Sequence, residues 1–254
     1  MKKLLAITAL SAALFFGQTV AAEEKAAEEV KPSHVEMVLV LDESGSMSNL
    51  TTDTIGGSNS MIEKEKKLDV DAHVTTVLFN DQYKMLYNRR ELKDVRKMTD
   101  KDYTPGGMTA LLDAVGRTIH KMDMVSGIHR KDKGNKVLFV IITDGEENDS
   151  REYTYADVKK LIKDRQENAG WEFIFLGANI DAVAAAENLG IDRDRAVKYK
   201  NTGSGVRANF KAVAELSDSL AKSGRVSDEW KETVEKDEDD AADKQSAAVT
   251  LHRR

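Results

Sequence analysis

The stretch Met37–Ser46, MVLVLDESGS, decides the fold. Met37, Val38, Leu39, Val40 and Leu41 form an unbroken apolar run, the pattern of a strand covered on both faces. The run stops at Asp42, and Ser44 and Ser46 follow at every second position with Gly45 between them. A buried strand that ends this way delivers one carboxylate and two hydroxyls to one rim of a sheet. Hard oxygen donors of that kind suit Mg²⁺, Mn²⁺ or Ca²⁺ and not soft metals. Gly45 is expected to let the backbone turn tightly so that both hydroxyls point the same way. A polar turn after a strand can equally cap a following helix, so the chemistry depends on partners elsewhere in the chain.

Working outward, Lys136–Thr143 (KVLFVIIT) is a second fully apolar run, and it too ends in a carboxylate, Asp144. Val74–Phe79 (VTTVLF) is a β-branched run followed by the turn signal Asn80-Asp81, and Tyr83–Tyr87 reads as the returning edge strand of a hairpin. Trp171–Leu176 and Ala196–Tyr199 are further strands. Helical spacing appears over Ile55–Leu68, Ala110–Val125, Tyr155–Gln166, Asp181–Leu189 and Val206–Leu220. Within the second of these, Leu111, Val115, Ile119 and Met122 share one face. Strands that alternate with helices, and are themselves continuously apolar, predict an α/β fold. The expected architecture is a Rossmann-like three-layer sandwich around a mostly parallel central sheet with one antiparallel edge strand.

Sites in such sheets form outside the carboxyl ends of the strands, so Asp42 and Asp144 share a rim and meet if their strands are neighbours. The loop Thr104-Pro105-Gly106-Gly107 opens onto the Leu111 helix and brings Met108 and Thr109 to that rim. Two carboxylates held close repel unless a proton or a cation separates them. The candidate metal ligands are therefore Asp42, Ser44, Ser46, Thr109 and Asp144.

The chain's ends are read apart from the fold. Lys2 and Lys3 precede an apolar stretch from Leu4 to Phe16 and a small-residue pattern, Val20-Ala21-Ala22. Residues 1–22 are expected to be a signal peptide cleaved after Ala22; the apolar stretch is shorter than the ~20 residues of a spanning helix. Residues 23–33 read as a mobile leader, 34–222 as the domain, and 223–254 as an acidic, mobile C-terminal tail around EKDEDD, Glu235–Asp240. The expected location is outside the cytoplasm, in the periplasm or extracellular, with no membrane contact after cleavage. Without cysteine there is neither a disulfide nor a lipid-attachment site. Cleavage removes two lysines and no acid, taking the net charge from −6 to −8. Such a charge argues against nucleic acid as a partner.

Together these residues resemble a von Willebrand factor A (VWA) domain with a metal-ion-dependent adhesion site. The D-x-S-x-S element is Asp42-Glu43-Ser44-Gly45-Ser46, the threonine loop is Gly106-Gly107-Met108-Thr109, and the final acid is Thr143-Asp144-Gly145. The likeness covers His34 to Leu220 and is strongest toward compact bacterial and phage single-domain members, where phrases such as ITDGEEN and WEFIFLGAN also occur. The resemblance implies that Asp42 holds the ion largely through water, with Ser44, Ser46 and sometimes Thr109 bound directly and Asp144 in the outer shell. It further implies one position left for a carboxylate, from an Asp or Glu of a partner protein. The implied function is a Mg²⁺-dependent protein-binding module, not an enzyme.

Two rivals carry different expectations. A haloacid-dehalogenase-like Mg²⁺ phosphatase needs a second acid two residues after the nucleophile, where this chain has Ser44. An ion used for stability alone needs no partner. No G-x-S-x-G elbow or phosphate-binding G-x-x-x-x-G-K-[ST] loop is present. The five histidines, at 34, 73, 120, 129 and 252, show no ligand spacing and read as solvated or packed. Glu146 and Glu147 read as helix-start acids, Asp113 as a surface or outer-shell group, and Met108 as lining the ligand's approach or packing.

Overall fold

The computed structural model describes residues 34–67, 72–125 and 135–236. The expected signal peptide and leader lie outside the described residues, as does the tail beyond Lys236. Six strands form one sheet: β1 (His34–Asp42), β2 (Ala72–Phe79), β3 (Tyr83–Glu91), β4 (Asn135–Thr143), β5 (Glu172–Gly177) and β6 (Ala196–Lys198). Their order is β3-β2-β1-β4-β5-β6, with every pairing parallel except β2–β3. The helices are α1 (Thr51–Glu65), α2 (Leu111–Asp123), α3 (Tyr155–Asp164), α4 (Ala182–Leu189) and α5 (Gly203–Ser223). This is the expected Rossmann-like α/β sandwich with one antiparallel edge strand.

The alternation of side chains along each strand divides the core in two. Val35, Met37, Leu39 and Leu41 of β1 face the layer of α1 and α5, where Met61, Ile62, Val206, Phe210 and Val213 cover them. Val38 and Val40 face α2, α3 and α4, meeting Val115, Ile119, Val158, Ile162 and Leu189. Strands β4 and β5 split in the same way. Continuous apolar runs follow from this, because neither face of the central strands meets water. Among the described residues no helix is long and apolar enough to cross a membrane.

After β1 the chain goes to one side of it, building β2 and β3, and then returns to the other side for β4, β5 and β6. The reversal lies between β1 and β4, the position at which open parallel sheets leave a crevice. Their register pairs Leu41 with Ile142, so Asp42 and Thr143 end the two strands level with each other.

Some boundaries differ from expectation. A 3-10 turn, Gly45–Leu50, leads into α1 at Thr51, before the first residue of the expected helix. β3 runs on to Glu91 across a register shift opposite Val74–Val77. The expected tail is also shorter than its composition suggested. Gly224 ends α5 in the left-handed conformation, and Val226, Trp230 and Val234 then return to the core beside Leu216 and Leu220. Val226, Trp230 and Val234 thus anchor this part of the chain to the core: three apolar residues in a polar stretch suffice, each full burial being worth about 1.5–3 kcal/mol.

Candidate functional site

Asp42 is the last residue of β1 and is buried. Its Oδ1 accepts the Ser44 backbone N–H at 2.7 Å, which folds the D-x-S-x-S turn back on itself. Its Oδ2 accepts the Thr143 hydroxyl at 2.6 Å, joining the ends of β1 and β4. Asp144, also buried, accepts the Ser46 hydroxyl through Oδ1 and the Asn201 amide through Oδ2 at 3.3 Å. The Ser44 and Ser46 hydroxyl oxygens lie 3.0 Å apart. Three parts of the chain thus converge on one point, and Thr109 supplies the fourth. A methyl group built on Gly145 would sit 3.5 Å from Thr109 Oγ1 and 3.8 Å from Ser46 Oγ. All five sequence-predicted residues therefore meet at the switch point of the sheet.

Burial is the first cause pushing the Asp42 carboxyl above its ordinary pKa; the hydroxyl and amide donors pull it down, and the charge of Asp144 pushes it up again. Among the described residues no lysine or arginine forms an ion pair with either acid. Two carboxylates thus face each other, each held only by neutral donors. The donor set is carboxylate and hydroxyl oxygen throughout, which fits a hard dication and offers nothing soft for a thiophilic metal.

The loop that carries Thr109 is fixed by groups with no obvious mark in the sequence. Glu43, the unnamed position of D-x-S-x-S, is buried; its carbonyl accepts from Gly106 N at 2.9 Å and its carboxylate from Thr104 N. Asn80 donates to Gly106 O at 2.8 Å, and Asn148 Oδ1 accepts from Thr109 N at 2.8 Å. Gly45 does not adopt the left-handed conformation; it donates its N–H to Gly107 O at 3.2 Å. The residue that requires glycine is Gly107, at φ +75°, where any side chain would run into the Asp81 carboxylate.

Other expectations are refined or corrected. Glu147 is a helix-start acid as expected, and the helix is α2, earlier in the chain: its carboxylate accepts from Leu112 N at 2.9 Å. Asp113 is no surface group: it is buried and accepts three backbone N–H groups, from Arg151, Glu152 and Tyr153, at 2.9–3.0 Å. Met108 is half exposed beside Thr109. Beneath the acids, Tyr103 donates to Asp42 O at 2.6 Å, and the fully buried Tyr199 hydroxyl has no partner among the described residues. Nor are all the histidines unrelated. His34 and His73, on neighbouring strands, stand 2.8 Å apart through Nε2 and Nδ1 and share Glu36. Sequence spacing could not show this, since β1–β2 pairing alone brings positions 34 and 73 together.

The model of the vWA-TerF-like family, described as the vWA found in TerF C terminus, matches residues 34–199. No curated protein matches. Among solved structures, the PilB minor pilin from Streptococcus sanguinis has a TM-score of 0.53 at 12% identity, over 72% of this chain and 61% of that one. Proximal thread matrix protein 1 from the mussel byssus gives 0.52 at 14%, over 72% and 45%. The vWF domain of the type V pili tip protein Mfa5 from Porphyromonas gingivalis gives 0.50 at 13%, over 78% and 99%. The chain thus spans less than two thirds of the first two proteins, and at these identities the likeness is one of fold.

Proposed function

The chain belongs to the vWA-TerF-like family, and from that premise we propose that it is a metal-ion-dependent protein-binding module that captures a partner's Asp or Glu. The ion is Mg²⁺, with Mn²⁺ or Ca²⁺ as substitutes, held by Asp42, Ser44, Ser46, Thr109 and Asp144. One observation carries the proposal: two buried acids face each other among hydroxyls, and among the described residues no cationic side chain pairs with either. When bound, the dication supplies an electrophilic position at which an incoming carboxylate completes the coordination.

The protein's own groups do the rest. Thr143 and the Ser44 N–H fix both oxygens of Asp42 in direction. Asn201 orients Asp144, and the tie from Gly45 to Gly107 holds the serine turn against the threonine loop. A site with few charged ligands leaves affinity for the partner's acid, while the surrounding surface selects which partner it is. Full occupancy of the ion raises stability by ~2.7 kcal/mol at a hundredfold excess over its dissociation constant, whether or not a partner exists. Capture of protein from the native host is therefore the deciding experiment. Cross-linking with Mg²⁺ should yield a partner that EDTA and Asp42→Ala both abolish; capture indifferent to either would refute the mechanism.

The proposal places the module outside the cytoplasm, in the periplasm or beyond the cell, after removal of residues 1–22. A mature N-terminus at Glu23 in the exported fraction, read by mass spectrometry, is the expected result; an intact Met1 in the cytosol would overturn it.

A further inference from the structure

We propose that His34, Glu36 and His73 form a second cation site, for a transition-metal dication such as Zn²⁺, at the amino end of the sheet. This end, the foot, is a strand's length from the acidic rim. His34 and Glu36 stand two residues apart on one face of β1, and His73 of β2 lies opposite Glu36 in register. Their donor atoms converge: His34 Nε2 to Glu36 Oε1 is 2.9 Å, His34 Nε2 to His73 Nδ1 is 2.8 Å, and His73 Nδ1 to Glu36 Oε1 is 3.3 Å. Tetrahedral Zn²⁺ with bonds of ~2.0–2.1 Å sets its ligand atoms about 3.3 Å apart, so the triangle needs to open by only a few tenths of an ångström. Two imidazoles and one carboxylate are a donor set for Zn²⁺, Cu²⁺ or Ni²⁺, in contrast to the oxygen-only rim.

Two further observations point to a ligand here. Glu36 Oε2 is buried and has no hydrogen-bond partner among the described residues, a costly state for a carboxylate oxygen. A cation already occupies the approach: the Arg89 guanidinium donates to Glu36 Oε1 through Nε at 3.0 Å and through Nη2, and Nη2 lies 3.3 Å from His73 Nδ1. A guanidinium has no acceptor, so His73 Nδ1 presents its lone pair toward the centre of the cluster. Burial pushes the Glu36 carboxyl up, but its hydrogen bonds from His34 and Arg89 prevail and hold it down at about 2, so it stays ionised.

Arg89 is also placed to leave. It holds the left-handed conformation, at φ 45°, in the irregular part of β3, and its side chain is about one-third exposed. Metal binding is then an exchange: the dication enters, the guanidinium turns out to solvent, and His34 releases its Nε2 proton to water, retaining at most the one on its other ring nitrogen. Nothing in this exchange involves the rim, so the two sites are separable.

The test is a Zn²⁺ titration of the untagged full chain against a chromophoric chelator, in excess Mg²⁺ so that the rim is not counted. One equivalent should bind. His34→Ala and His73→Ala should each weaken it at least a hundredfold, while Asp42→Ala leaves it unchanged. Arg89→Ala, which removes the competing cation and no ligand, should tighten it about tenfold. Circular dichroism of each variant identifies those that fold, and should the histidine variants fail to fold, Arg89→Ala decides. Unaltered Zn²⁺ affinity in a folded histidine variant, no tightening in Arg89→Ala, or no stoichiometric Zn²⁺ on the native chain would overturn the proposal.

Discussion

At the rim, Asp42 and Asp144 lie among hydroxyls and amides; at the foot of the same sheet, Glu36 lies against a guanidinium and two imidazoles. Both ends bury acids, and β1 contributes one to each. At the foot, the protein supplies its own counter-charge, so the acid contributes to folding. At the rim the described residues supply none, and the acids are kept at a cost that a bound dication would offset. Where a fold leaves like charges together and unpaired, stability has been exchanged for an attraction toward something outside it.

The largest expected effect tests the rim. Asp144→Asn keeps the shape and most hydrogen bonds while removing one of the facing charges. It should abolish the Mg²⁺-dependent rise in Tm, yet leave the Tm in EDTA equal to or above that of the parent. A lower Tm in EDTA would mean that the rim acids stabilise the fold unaided and the contrast fails. Next comes its counterpart at the foot: Glu36→Gln should cost about 2–3 kcal/mol in urea unfolding, with or without Mg²⁺, because it strands the partly buried Arg89. No measurable loss would erase the difference between the two ends.

Third, Gly107→Ala should cost about 1–2 kcal/mol, since alanine at φ +75° is strained and its methyl meets Asp81. The same change should shrink the Mg²⁺ response by displacing the Thr109 loop; an undiminished response would show that Thr109 is dispensable. The smallest effect is one of slope. Glu65, buried at the end of α1 and accepting from Ser217 at 2.6 Å, has its pKa raised by burial from 4.5 to about 7. Its stabilising contribution is full below pH 4.5 and disappears as the pH rises to about 7. Glu36 behaves oppositely, its contribution disappearing as the pH falls from 4.5 to about 2. Glu65→Gln should flatten thermal stability between pH 4.5 and 7, by less than the ~1.4 kcal/mol per pH unit that one proton allows. A profile identical to the parent's would deny the coupling.

Much of the rim was legible because its residues stand where elements end. An apolar run of either strand stops at an acid, and the glycine pair announces the loop that brings Thr109. What positions them was not legible. Glu43, Asn80 and Asn148 act through backbone groups far away in sequence, and the need for φ > 0 falls on Gly107, which looks no different from Gly45 or Gly106. The foot was illegible for a related reason: strand register, not spacing, joins His34 to His73. Trp230 was hidden by composition, a single large apolar residue in a stretch that averages to polar.

That tryptophan has a further consequence. Its indole N–H and the neighbouring Lys231 ammonium reach the carbonyls of Asp194 and Arg193, in the turn that leads into β6, at the same end of the sheet where His34 opens β1. His34 and the turn around Trp230 thus lie at one end of the sheet, opposite the acidic rim. Immobilised through a residue beside His34 or Trp230, the molecule would present its acid-facing surface outward, as a hand is presented by the wrist.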